Sequence, residues 1–261
     1  MILAIDVGNT NIVFGCIDEN STYFVARAVT DRDKTSDEFA IVLKNIIEMY
    51  GVPLAKIEGS IISSVVPPLN SALRGAVEIV LGRTPLLVGP GIKTGLNILI
   101  DNPAQLGSDL VVDAVAAIHA YEKPLIIIDM GTATTFSVVD QKSNYLGGAI
   151  CPGLKVSLDA LTARTSQLQS IGLEPAKAVI GRNTIDCMKS GAIYGSAAML
   201  DGMIDRIEEE MGQKTTVVVT GGLGKFVVPY CKHKIIYDDA LLLKGLWLIY
   251  QKNISANSKE S

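Results

Sequence analysis

Ile2-Leu3-Ala4-Ile5-Asp6-Val7-Gly8-Asn9-Thr10-Asn11 stands near the start of the chain, and Leu125-Ile126-Ile127-Ile128-Asp129-Met130-Gly131-Thr132 repeats its pattern. Each is an apolar run that ends in Asp-x-Gly and small polar residues. Each then leads into a second apolar run, at 12–17 and at 136–139. A β-branched apolar run stopped by Gly and Asn and then resumed reads as strand, tight turn, strand. Aligning Asp6 with Asp129 also aligns Gly8 with Gly131. A weaker echo, residues 60–64 against 216–220, gives each half a further strand that runs into a turn. The chain therefore reads as α/β, two halves of one architecture, each a mixed sheet flanked by helices.

Outward from these repeats, 23–29 and 85–88 read as strands. Residues 60–66 form a short strand that Pro67-Pro68 stops. Helical spacing appears over 37–49, with Ser36 as the expected N-cap, and over 69–81, 108–121 and 240–250. Residues 147–153 read as a turn before a helix over 154–163. The polar stretch 253–261 reads as a frayed, flexible tail.

Composition narrows the function classes. Of 261 residues, 48% are hydrophobic and 19% charged, which is ordinary globular usage and argues against disorder. Against 23 Lys and Arg stand 27 Asp and Glu, for a net charge of −4. That balance lacks the basic footprint of a nucleic-acid binder. No apolar run reaches the roughly 18 residues that a membrane span needs. Cys16, Cys151, Cys187 and Cys231 contain no C-x-x-C pair, so reduced cytosolic thiols are expected. His119 and His233 are too few for a His-rich metal site.

The two Asp-x-Gly turns have a physical use. A glycine lets the backbone approach a phosphate, and successive N–H groups in such a turn bind anions. The Asp repels phosphate directly, but it can hold a hydrated Mg²⁺ that bridges to it. One such turn also makes an ordinary hairpin. Two at matching places suggest Asp6 and Asp129 across one cleft, where their mutual repulsion favours a cation. Asp109 lies at the start of the 108–121 helix. It either complements the helix dipole or serves as general base for a hydroxyl nucleophile. Residues 220–224, Thr-Gly-Gly-Leu-Gly, follow a strand where a base or ribose could approach the backbone. The P-loop pattern G-x-x-x-x-G-K-[ST] and the G-x-S-x-G elbow are both missing.

Asp6-Val7-Gly8-Asn9-Thr10, Gly107-Ser108-Asp109, Asp129-Met130-Gly131-Thr132-Ala133-Thr134-Thr135, the segment 147–153 and Gly181-Arg182-Asn183-Thr184 occur in this order. Together they resemble the type III pantothenate kinases, of the actin, sugar-kinase and heat-shock-chaperone ATPase superfamily. The resemblance implies two duplicated ribonuclease H-like, actin-like ATPase domains. These would span 1–115 and 116–239, with a helix at 240–252 packing back on the first. It implies that pantothenate's primary hydroxyl attacks the γ-phosphate of ATP, giving 4′-phosphopantothenate for coenzyme A synthesis. Asp109 would be the base. Asp6, Val7, Gly8, Asn9, Thr10, Asn11, Ile12, Val13 and Thr132 would meet ATP, with Asp6 reaching Mg²⁺ through water. Asp129 would hold a monovalent cation, K⁺ or NH₄⁺. Ile100, Gly107, Ser108, Asp109, Leu110 and Thr184 would face pantothenate. A cytoplasmic homodimer is implied. The family usually has Tyr at the place of Ile100 and Arg at that of Leu110, which leaves open a kinase for another small alcohol or an ATP-binding regulator.

Overall fold

The computed structural model describes residues 1–257. The chain divides into two compact units. The first comprises Met1–Leu96, Asp101–Ala116 and the chain from Leu241; the second comprises Asn97–Ile100 and Ala117–Ala240. In chain order the elements begin with β1 (Ile2–Val7), β2 (Asn11–Ile17), β3 (Thr22–Val29), α1 (Ser36–Met49), β4 (Gly59–Ser64), α2 (Asn70–Leu81) and β5 (Leu86–Leu87). Next come β6 (Asn97–Ile98), α3 (Ser108–Ala120), β7 (Leu125–Met130), β8 (Ala133–Val139), β9 (Asn144–Pro152) and α4 (Leu154–Arg164). The remainder is α5 (Thr184–Met211), β10 (Thr216–Thr220), α6 (Gly224–Val227), β11 (Ile235–Tyr237) and α7 (Leu241–Asn257).

The first unit carries a sheet of order β3-β2-β1-β4-β5, and the second a sheet of order β11-β10-β7-β8-β9-β6. In the first, β1, β2 and β3 run antiparallel, and β4 and β5 run parallel to β1. In the second, β7, β8 and β9 run antiparallel, while β10 and β11 run parallel to β7. The order 3-2-1-4-5 thus recurs as 9-8-7-10-11, with β6 added beside β9. The repeat legible in the two Asp-x-Gly turns is a repeat of whole sheets.

Alternation along β1 sorts its side chains onto two faces. Leu3, Ile5 and Val7 join Phe39, Leu43 and Ile47 of α1 and Leu73 and Val77 of α2 in one buried core. Ile2 and Ala4 join Ile61 of β4, Val112 of α3 and Leu243, Leu246 and Ile249 of α7 in another. Asp6 continues the Ile2–Ala4 row, and Ser63 continues the row of Ile61. Both therefore belong to the face that α3 and α7 cover. The second unit repeats the sorting. Ile126, Ile128 and Met130 pack with Ile193, Leu200 and Ile204 of α5, which puts Asp129 on the other face.

Three expectations need correction. The N-cap of α1 is Thr35 rather than Ser36. Thr35 Oγ1 accepts the Glu38 N–H, and its own N–H donates to Glu38 Oε2 at 2.8 Å, a capping box. The Ser36 hydroxyl instead packs against Gly75 of α2. Residues 147–152 form the second half of β9, paired with β8 from Gly147–Val138 to Pro152–Ala133. The ladder is a backbone interaction, so it overrides a composition that reads as a turn. The stretch from 253 is not a frayed tail through its described part. α7 continues to Asn257, and Asn253 is buried. Residues 258–261 lie outside the described residues. The 28-residue α5 is also absent from the sequence reading. Gly191, Gly195 and Gly202 interrupt its apolar periodicity. Among the described residues, no helix is long and apolar enough to cross a membrane.

Candidate active site

In the first unit the strand β1 delivers a half-buried Asp6 to the sheet's end, and Val7 closes the strand. Gly8, Asn9 and Thr10 make the turn, and Asn11, Ile12 and Val13 begin β2. The turn is pinned. The Gly8 N–H donates to the Asn11 carbonyl at 3.0 Å. From the end of β3, Thr30 donates its hydroxyl to the Gly8 carbonyl at 2.6 Å and its N–H to the Thr10 carbonyl at 3.0 Å. The Gly8, Thr10 and Asn11 carbonyls are thus engaged by protein donors, which suits a turn that meets an anion with its other groups. Arg32 Nη2 donates to Asn9 Oδ1 at 3.3 Å and brings a cation to the exposed rim. Arg32 lies 23 residues from Asn9 in sequence, so no local pattern announces it.

The same unit holds Gly107, Ser108, Asp109 and Leu110, which enter and form the first turn of α3. All four are half-buried. Burial pushes the Asp109 carboxyl above its ordinary value, opposed by the Leu110 N–H that donates to Oδ1 at 2.8 Å. A methyl group on Gly107 would collide with Asp109 Oδ1, so glycine is what lets the carboxylate lie back against the chain. The Ser108 hydroxyl is taken up by β4. A raised carboxyl at the mouth of a helix can act as general base once ionised.

In the second unit β7 carries Asp129, half-buried, with Thr135 of β8 and Thr220 of β10 as its register neighbours. Glycines flank its carboxylate on both sides. A methyl group would stand 3.5 Å from Oδ2 at Gly131 and 2.5 Å from Oδ1 at Gly221. Tyr237 donates its hydroxyl to the Gly221 carbonyl at 3.1 Å, which holds that turn. Thr132 is exposed at the tip of the β7–β8 turn. Thr184 is the first residue of α5, behind the N-cap Asn183, and it lines a cavity of about 570 Å³ with Thr134, Leu154, Ser157, Leu158 and Met188. Ile100 belongs to this unit too, beside Gly147 after β6, whereas Leu110 belongs to the first. The sequence pattern assigns no site role to the cavity's Thr134, Ser157 and Met188, nor to Ser63, the buried register partner of Asp6.

The carboxylate–glycine arrangement fits the ions the turns suggest. Among the described residues, no group of three or more His, Cys, Asp or Glu could hold a metal by itself. Mg²⁺ commonly takes one or two carboxylates and completes its shell with water and substrate phosphates. Asp6 is a donor of that kind. Asp129, in its cradle of glycine backbone, suits an ion that also takes carbonyl oxygens.

Known proteins share both sequence and fold. The closely related chain from Bacillus cytotoxicus, a type III pantothenate kinase, is 42% identical over 253 residues, 97% of each chain. A crystal structure of a Baf family transcriptional activator from Campylobacter jejuni superposes with a TM-score of 0.57 at 21% identity, covering 97% of this chain and 100% of that one. Component A of the (R)-2-hydroxyglutaryl-CoA dehydratase of Acidaminococcus fermentans gives 0.56 at 14% identity, covering 98% of both. These two likenesses establish the fold alone, a mixed α/β architecture with two sheets flanked by helices. The profile of type III pantothenate kinases matches residues 2–206, and with the 42% identity it establishes that the chain belongs to the type III pantothenate kinase family.

Proposed function

We propose that this chain transfers the γ-phosphoryl group of ATP to the primary hydroxyl of pantothenate, the first step of coenzyme A synthesis, with Asp109 taking the hydroxyl proton. Family membership supports the reaction. The observation that carries the assignment of the base is Asp109 itself: a half-buried carboxylate, raised by burial, at the start of a helix covering the sheet face on which Asp6 lies. Phosphoryl transfer demands little covalent chemistry of the protein and much positioning and charge neutralisation. Asp6 would hold hydrated Mg²⁺, and the pinned turn from Gly8 to Asn11 would meet the phosphates. Thr132 and the glycines after β10 would meet the rest of the nucleotide. Asp129 would hold K⁺ or NH₄⁺. Mg²⁺ held by Asp6 would supply neutralisation of phosphate charge, and a carboxylate oxygen of Asp109 would take the hydroxyl proton.

Gly107, the backbone of Ser108, Leu110, Ile100 and Thr184 would contact pantothenate. The Ser108 hydroxyl is already committed to β4, so what it offers a substrate is its N–H. Leu110 supplies no cation to the pantothenate carboxylate. The reading extends to a cytoplasmic homodimer, on family membership alone. The test is ADP release by purified protein with Mg²⁺, K⁺ and ATP. Pantothenate-dependent turnover that vanishes in Asp109→Asn is the expected result. No turnover at millimolar pantothenate rejects the reading.

A further inference from the structure

The proposed base must be aimed, and the first unit contains a device that aims it. Apolar contacts fix how deeply α3 packs, through Val112, but they are non-directional. Direction at the helix start comes from hydrogen bonds. Ser108 Oγ lies 3.0 Å from Ser63 Oγ, 3.0 Å from the Ser64 nitrogen and 3.1 Å from the Ser64 carbonyl oxygen. A serine hydroxyl has one hydrogen and two lone pairs. Its hydrogen goes to the Ser64 carbonyl, and one lone pair accepts the Ser64 N–H. The second lone pair is left for the hydroxyl of Ser63, which is therefore the donor. The Ser108 hydroxyl is saturated by β4 alone.

Ser63 is 0% exposed and is the register partner of Asp6 across the parallel β1–β4 ladder. Side chains at paired positions leave the sheet on the same face. Asp6, Ser63, Ser108 and Asp109 therefore form one continuous track through a strand, its neighbour and a helix start. We infer that the Ser63–Ser108 hydroxyl pair is a positioning device for Asp109, which locks the first turn of α3 to the strand beside Asp6 and so sets the base against the phosphate turn. The inference rests on Asp109 being the base, as proposed above.

A positioning role predicts a loss in turnover without a loss in nucleotide binding. A misplacement of about 1 Å can cost on the order of a hundredfold in rate. Steady-state kinetics would compare wild type, Asp109→Asn, Ser108→Ala, Ser63→Ala and Ser108→Thr, each first shown to be folded at the assay temperature by circular dichroism. Ser108→Ala should lower kcat about ten- to a hundredfold, with KM for ATP within about twofold. Ser63→Ala, which removes one of the three contacts, should lower kcat less. Ser108→Thr keeps the hydroxyl and should recover most of the lost turnover. If Ser108→Ala fails to fold, Ser63→Ala carries the comparison. Wild type without pantothenate turnover, or Asp109→Asn with full turnover, overturns the base and this inference with it. Wild type active, Asp109→Asn inactive and both serine variants at wild-type kcat overturns the positioning role alone. So does a loss in which KM for ATP rises in step and Ser108→Thr recovers nothing.

Discussion

Asp129 and Gly221 leave no room between them. A methyl group on Gly221 would stand 2.5 Å from Asp129 Oδ1 and 2.7 Å from the Met130 carbonyl oxygen, and Gly221 holds a φ of +86°. Gly221→Ala must therefore strain the turn, displace the carboxylate, or both. A non-glycine residue in a sparsely populated region costs about 1–3 kcal/mol. Urea unfolding should show a loss of that order, and half-activation by K⁺ should move to at least about tenfold higher concentration, a shift of about 1.4 kcal/mol. A folded Gly221→Ala protein with wild-type K⁺ dependence would separate Asp129 from the cation.

Asp109 makes opposite demands on activity and stability. A base must be ionised, so the acid limb of kcat/KM should lie above the ordinary carboxylate range, because burial raises this carboxyl. A group raised in the folded chain contributes its stability at low pH and loses it as pH rises through the raised value. Asp109→Asn has no such charge to bury. It should lose about a hundred- to ten-thousandfold in kcat while melting higher than wild type at pH 7. That melting difference should shrink toward pH 4. An equal gap at both values would show that burying the charge costs the fold nothing.

The cap of α1 offers a control remote from the chemistry. Thr35 and Glu38 satisfy each other's backbone N–H groups. Thr35→Ala should cost about 0.5–2 kcal/mol in urea unfolding and leave kcat within about twofold, a change under about 0.5 kcal/mol. A stability loss much below that range would show that α1 is held by the burial of its own Phe39, Leu43 and Ile47 alone.

The parts of the site legible in the sequence are those made by local chain. Asp6 with Gly8, and Asp129 with Gly131, lie two residues apart, so strand, turn and carboxylate can be read from one window. The fold class followed from their repetition. What could not be read depends on register between distant strands. The echo of 60–64 in 216–220 pairs Ser64 with Thr220, but the ladders make Ser63 the equivalent, because Asp6 faces Ser63 and Asp129 faces Thr220. A shift of one residue turns every side chain to the other face. That is why the Ser63–Ser108 contact was invisible. The segment 147–153 departs from its local pattern for a related reason: its glycines suit a turn, but pairing with β8 makes 147–152 a strand.

The end of α7 supplies a further test. Asn253 accepts the Lys93 N–H at 3.0 Å and donates to the Lys93 carbonyl at 3.1 Å and the Ile249 carbonyl at 2.8 Å. Asn253→Ala removes these three hydrogen bonds, each worth about 0.5–1.5 kcal/mol net. Thermal unfolding should fall accordingly. Removal of every residue from 253 onward should destabilise at least as much. A truncated chain as stable as the full one would make that helix end dispensable.

The discontinuity of the first unit has a consequence for synthesis on the ribosome. Residues Ala117–Ala240, the bulk of the second unit, emerge as one uninterrupted stretch and can close their sheet at once. Ile2, Ala4, Ile17 and Ile61 must wait for Leu243, Leu246 and Ile249 to leave the exit tunnel before α7 completes the cover that Val112 of α3 begins. The sheet translated first is thus finished second, and for that interval the part of its face that α7 will cover is the surface a nascent-chain chaperone would find.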